Sequence, residues 1–177
     1  MKTTKTLAPL AVAASLLFSI NVTAQKTTKL SDPEIASVAV VANQVDIKAG
    51  EQAKTKTKDK EVQNFANTMI NDHQAVIGQA SALVKKLNVT PKDNSVSKKL
   101  MADAARTRRM LAAKSGKVFD KAYINNEVAY HKAVISTVEN VLIPQAQNAE
   151  LKQLLQNVVP ALRTHLEHAQ MLQKNMK

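Results

Sequence analysis

The sequence predicts an all-helical fold: two long antiparallel hairpins joined by a crossover that carries an extra short helix. Three observations predict it. Apolar residues recur every three or four positions over long segments. Glycine occurs only at Gly50, Gly78 and Gly116, and no Asn-Gly or Asp-Gly pair marks a tight strand turn. Ala, Lys, Gln and Leu, all good helix formers, are plentiful.

The first 24 residues read as an export signal rather than as part of the fold. Lys2 and Lys5 give a positive start, Leu7 to Ile20 is almost wholly apolar, and Val22-Thr23-Ala24 precedes a cut that leaves Gln25 first. The apolar run is short for a membrane span and lacks a stop-transfer flank. Residues 25–30 read as a flexible polar lead-in, and residues 31–177 as one domain.

Ser31-Asp32-Pro33-Glu34 is a capping box with Pro in the first turn. It starts a helix predicted to run to about Lys56, with the inward stripe Ile35, Ala39, Ala42, Asp46, Ala49 and Ala53. Asp59 caps a second helix, predicted to reach Leu87 through Val62, Phe65, Met69, His73, Ile77, Ala80 and Val84. Asn88 to Asn94 is a loop by composition. A short basic helix is predicted from Ser95 to Lys114, ended by Ser115-Gly116. A fourth helix spans Val118 to Leu142, with Phe119, Tyr123, Ile124, Glu127, His131, Val134 and Val138 inward and Pro144 as terminator. A fifth runs from Asn148 to Lys174 through Leu151, Leu155, Val158, Leu162, His165, Ala169 and Leu172, with a kink or break expected at Pro160. Two hairpins and one long crossover are the ferritin-like four-helix bundle.

The chain has no cysteine, which excludes disulfides, thiolate ligands, a cysteine nucleophile and a lipid anchored on an N-terminal cysteine. The mature chain contains no other run long enough to cross a membrane, so the expectation is a periplasmic or outer-membrane-associated protein. The signal holds two lysines and no acid, so its removal lowers the net charge from +11 to +9. Lys54, Lys56, Lys58 and Lys60 form one basic cluster; Lys98, Lys99, Arg106, Arg108 and Arg109 form a second. Such a surface suits anionic envelope components, or is simply solvated. Nucleic acid is a poor fit, because Phe65, Phe119, Tyr123 and Tyr130 all fall in helical stripes rather than on a stacking platform.

Asp46, His73, His131 and His165 each interrupt an apolar stripe near the middle of a predicted helix. Counted from the turns, Asp46 is nearly level with His73, and His131 with His165. Each partner is offset by about one to two residues, roughly 1.5–2.5 Å at helical rise. Buried without partners, such groups cost roughly 1–3 kcal/mol each, and more if charged. Two arrangements resolve this. One divalent transition metal (zinc, copper, iron or manganese) takes three imidazoles and a carboxylate. Alternatively, the residues hydrogen-bond to one another, to Tyr123 and to water. Glu127, one turn before His131, is a further ligand or orienting group, and His168, one turn after His165, is a weaker candidate. Asp72 reads as a solvent-side or inter-helix contact, and Asp120 as a cap or a partner of Tyr123. No phosphate loop, nucleophile elbow or His-Glu-x-x-His occurs. The di-iron pattern of carboxylates from all four helices is also missing, which argues against an iron store of that type.

These residues resemble domain-of-unknown-function family 4142, often labelled an outer-membrane protein. The resemblance covers about residues 32–174. It is carried by Asn43 to Asp46 with Gly50, by Phe65 to His73, by Phe119 to Tyr123 leading to His131, and by Pro160 to Leu166. The family usually has Glu where this chain has the shorter Asp46. The resemblance implies a ferritin-like bundle in an exported protein and brings no established activity. Its outer-membrane label does not mean a barrel, since the chain has no alternating strands.

The leading expectation is an exported bundle that binds a metal or stress-related ligand without established catalysis. The alternatives are a non-catalytic envelope module with a basic surface and, more weakly, a redox metalloenzyme. The sequence leaves the oligomeric state open.

Overall fold

A computed structural model of the protein describes residues 29–176. The predicted signal and most of the lead-in lie outside them. Among the described residues the protein is helical and contains no strand. Its elements are α1 (Asp32–Lys56), α2 (Lys60–Lys86), α3 (Ser95–Ala112), α4 (Gly116–Thr137), a π-helical turn (Val138–Leu142), the single turn α5 (Ile143–Gln145) and α6 (Ala149–Asn175). The predicted ferritin-like four-helix bundle is observed. No helix among the described residues is long and apolar enough to cross a membrane.

The caps lie where the sequence places them. Glu34 accepts from the Ser31 N–H at 2.9 Å and the Ser31 hydroxyl at 2.7 Å. Asp59 accepts from the amides of Glu61 and Val62, and Asn148 from those of Glu150 and Leu151. Leu30 belongs to the fold rather than to a loose lead-in: it is buried, and its N–H donates to Gln145 at 2.6 Å. Asp32 accepts from the amides of Gln147 and Asn148, which ties the start of α6 to the start of α1.

The crossover runs the length of the bundle. Ser37 bonds Asp93, Gln52 bonds the Arg108 carbonyl and Lys56 bonds the Ala112 carbonyl, all at a sequence separation of 56. A constant offset means that α3 lies parallel to α1. Helix α2 returns antiparallel to α1, and the α3 crossover brings the chain back so that α4 runs parallel to α2.

Three helix boundaries differ from expectation. Gly116 does not end α3. It opens α4 with φ +53°, a left-handed value suited to glycine, while α3 stops at Ala112. Pro144 does not stop α4 where it stands. The missing donor and the ring at Pro144 are absorbed by the wider π turn, in which the Ile143 N–H reaches the Val138 carbonyl, and the helix ends only at Gln145. Pro160 does not break α6, which runs through it; Pro160 is exposed, so water can serve the carbonyl it leaves free.

The core divides in two. Toward one end, Val62, Phe65, Met69, Phe119, Tyr123 and Ile124 pack with nothing exposed. Phe119 stacks on Tyr123 at 6.2 Å, and Phe65 meets Tyr123 edge-on at 6.1 Å. Toward the other, Leu30, Ile35, Val38, Ile135, Leu142 and Leu155 form a second cluster, to which α2 adds only the half-buried Leu83. A chamber of about 510 Å³ opens mainly there, walled by residues such as Ala39, Ala42, Ala80, Val134, Val158 and Leu162, and reaches past the polar layer to Ala49 and Leu111.

Candidate metal centre

Helical register delivers one polar group to the same level from each long helix. Asp46 comes from α1, His73 from α2, His131 with Glu127 from α4, and His165 from α6. All five are buried. One nitrogen from each of His73, His131 and His165 lies within 4.8 Å of the other two, and Asp46, Glu127 and His131 form a second such group. The ring centroids are 5.3–5.9 Å apart. Asp46 Oδ2 stands 3.1 Å from His73 Nε2 and 3.5 Å from His131 Nε2.

The outer partner of each imidazole fixes its tautomer. Asn43 Nδ2 donates to the Ala39 carbonyl at 2.8 Å, so Asn43 Oδ1 turns toward His73 and accepts from its Nδ1–H at 2.7 Å. His131 Nδ1–H donates to the Glu127 carbonyl at 3.0 Å. His165 Nε2–H donates to the Asp72 carboxylate at 3.0 Å. Each ring is then left with one lone pair: Nε2 on His73, Nε2 on His131 and Nδ1 on His165. Those three nitrogens, with both oxygens of Asp46, are among the buried atoms that have no hydrogen-bond partner. Acceptors 3.1 Å apart repel unless a cation, proton or metal, lies between them.

Electrostatics agree for Asp46, His131 and His165. Burial raises the Asp46 carboxyl, but the facing His73 ring and then the fields of the three imidazoles outweigh it and hold it below its usual 3.8. Burial pushes His131 and His165 below the usual 6.5, toward the neutral form. Burial, and then the Asp46 charge, push Glu127 well above its usual 4.5. Both effects favour the neutral form of Glu127, whose Oε2 lies 3.7 Å from His131 Nδ1 and whose Oε1 accepts from Asn126 at 3.3 Å. Burial keeps the phenols of Tyr123 and Tyr130 protonated.

The four residues singled out in the sequence do meet. Glu127 joins them, closer to Asp46 and His131 than to the other imidazoles. Tyr123 lies within the aromatic half, its hydroxyl buried and unpaired. His168 stays outside the layer, half-buried and edge-on to Phe65 at 5.1 Å. Asp120 is buried with Oδ1 unpaired and does not hold Tyr123. Asn43 stood in the sequence only as part of the family motif, with no role assigned to it; in the structure it orients His73. Sequence reading missed the role of Tyr130, which ties α4 to α1 by donating to the Ala42 carbonyl at 2.8 Å. Asp72 is an inter-helix contact as expected; its hold on His165 was not foreseen.

A buried carboxylate and three imidazoles, each oriented with one nitrogen inward, make a nitrogen-rich ligand set of the kind that holds zinc or copper and can take iron or manganese. Outer partners that fix each imidazole are the usual support of such ligands. The residues present therefore suit a transition ion.

Fold and layer together define a ferritin-like helical bundle with a histidine–carboxylate cluster at its waist. The chain belongs to the family described as Domain of unknown function (DUF4142), which matches residues 18–172. No curated protein sequence matches it. Among solved structures it is similar to a protein described as secreted, DUF305 from Streptomyces coelicolor, with TM-score 0.69, 13% identity, 81% of this chain covered and 91% of that one. It is also similar to CopM in the Cu(II)-bound form, with TM-score 0.64, 16% identity, 84% of this chain covered and 99% of that one. At these identities the likeness establishes the fold.

Proposed function

We propose that this is an exported metal-binding bundle holding one divalent transition ion at Asp46 Oδ2, His73 Nε2, His131 Nε2 and His165 Nδ1, with Glu127, Asn43 and Asp72 orienting the ligands. One observation carries the reading: three imidazole lone pairs and a carboxylate converge in a buried layer, each imidazole held from outside and none satisfied inside. A protonated His73 would answer only the Asp46 contact. A metal answers all four groups. The CopM neighbour, described in a Cu(II)-bound form, makes copper the first ion to test, ahead of zinc, iron and manganese. Export is supported by the leader-like first 24 residues and by a fold neighbour described as secreted. The proposed role is binding rather than catalysis.

The test is equilibrium dialysis of metal-free mature protein against each ion, followed by X-ray absorption. The expected result is one retained equivalent with nitrogen/oxygen ligation including imidazole, and none retained in Asp46→Ala. Retention unchanged in that variant would overturn the assignment.

A second reading, docking on anionic envelope surfaces, has its own observation. Lys54, Lys56, Lys58, Lys60, Arg108, Arg109, Lys114 and Lys117 gather at the end of the bundle where α1 meets α2 and α3 meets α4. The exposed apolar side chains Met110 and Val118 stand among them. Cations around exposed apolar groups suit a charged lipid surface. Lys98 and Lys99 lie at the opposite end of α3, so the second basic stretch of the sequence is split. Salt-sensitive binding to anionic vesicles, retained when the layer histidines are replaced, is the expected sign of this role.

A further inference from the structure

The chamber beside the polar layer is not needed to hold an ion. It has about 510 Å³, inside the roughly 300–1,000 Å³ of small-molecule sites. The polar layer forms one side of it and Asp103, Thr107 and Arg108 of α3 another; the rest of the lining is chiefly aliphatic, with Tyr130 the only aromatic besides the imidazoles. Few groups on the aliphatic side can hold water, and a water needs two to four polar partners. The chamber shares Gln79, Leu83 and Leu154 with a shallow open cleft between α2 and α6. That cleft adds Gln153 and Asn157, whose side-chain amides bond each other at 2.7 Å, and Glu150, already paired with Lys86 at 2.6 Å.

We infer that this chamber is a binding site for a single aliphatic chain bearing an uncharged, hydrogen-bonding head, of the fatty-alcohol kind. The chain fills the space between Val134, Val158 and Leu162, and the head meets the amides of Gln79 and Asn157 at the cleft. Aliphatic walls favour a flexible chain over a flat aromatic ligand, which gains more from ring partners. The neighbouring cation and anion at the cleft neutralise each other, so a charged head gains nothing there. Small residues at Ala39, Ala42 and Ala80 keep the space open where larger side chains would fill it. The inference does not rest on a bound ion, since the aliphatic walls and the cleft carry it, with the polar layer forming one side of the chamber.

The experiment is calorimetric titration of the mature protein with 1-decanol, beside Ala80→Phe and Ala39→Leu. These replace wall residues on two different helices, so one remains informative if the other fails to fold by circular dichroism. Saturable one-to-one binding is expected, weakened at least tenfold in each folded variant. Adding or withholding copper should change the wild-type affinity by no more than about twofold. No saturable binding to the wild-type protein, or unchanged affinity in the folded filling variants, overturns the inference. Loss of decanol binding when copper is added would place decanol in the polar layer and overturn it as well.

Discussion

The two halves of this bundle are built from the same helices and behave as opposites. Below the polar layer, Phe65, Phe119 and Tyr123 span the interior and leave nothing exposed. Above it, Ala39, Ala42 and Ala80 face one another across a chamber, and α2 offers only Leu83 to the core. Aromatic bulk holds one end together, while small side chains leave the other end roomy. The polar layer sits where the two meet, fixed from below by close packing and open on its other face.

The sharpest test of this contrast is a pair of truncations. Phe65→Ala should cost about 3–5 kcal/mol in urea unfolding, the usual penalty for a buried ring. Leu83→Ala should cost only about 1 kcal/mol, because the side chain is half-buried beside open space. Equal penalties would abolish the distinction. Close approach in the packed half gives a second test. A Cβ on Gly50 would stand 3.0 Å from Ile70 Cγ1 and 3.1 Å from the Ala66 carbonyl. Gly50→Ala should therefore lose about 1–3 kcal/mol by overpacking, despite the better helix propensity of alanine. Gly78 meets nothing, and Gly78→Ala should stabilise slightly.

The layer itself should show in a smaller effect, the pH dependence of the metal-free protein. His131 and His165 are held below 6.5, so the folded state binds fewer protons than the unfolded chain as pH falls through 6.5. Their support is full above that value and is lost toward the lower folded values. Asp46, held below 3.8, adds a loss only in stronger acid. Glu127 acts in the opposite sense: its folded value lies above 4.5, so stability declines as pH rises past 4.5 toward it. Glu127→Gln removes that decline. Its melting temperature should climb more than the wild type's between about pH 4.5 and 7, and parallel profiles would contradict a neutral Glu127.

The helices and the polar layer were legible because both follow from spacing. Capping residues set the turns, the turns set the register, and the register brought Asp46 level with His73 and His131 level with His165. The tautomers were not legible. They depend on which way Asn43 and Asp72 turn, and Asn43 is oriented by a carbonyl of its own helix. The chamber was hidden for another reason: alanines on an inward stripe read as core whether the facing helices touch or stand apart. That α6 would run unbroken through Pro160 was not legible, because the exposure that makes it tolerable is a property of the folded helix.

Elemental mass spectrometry of untagged mature protein, beside a His73→Ala/His131→Ala double variant, shows whether the inward lone pairs and Asp46 hold a metal. Close to one transition ion per chain is expected, absent from the double variant. Wild-type protein that is metal-free, and that gains no thermal stability from added copper, zinc, iron or manganese, would contradict the metal assignment and leave the layer as a proton-bridged network.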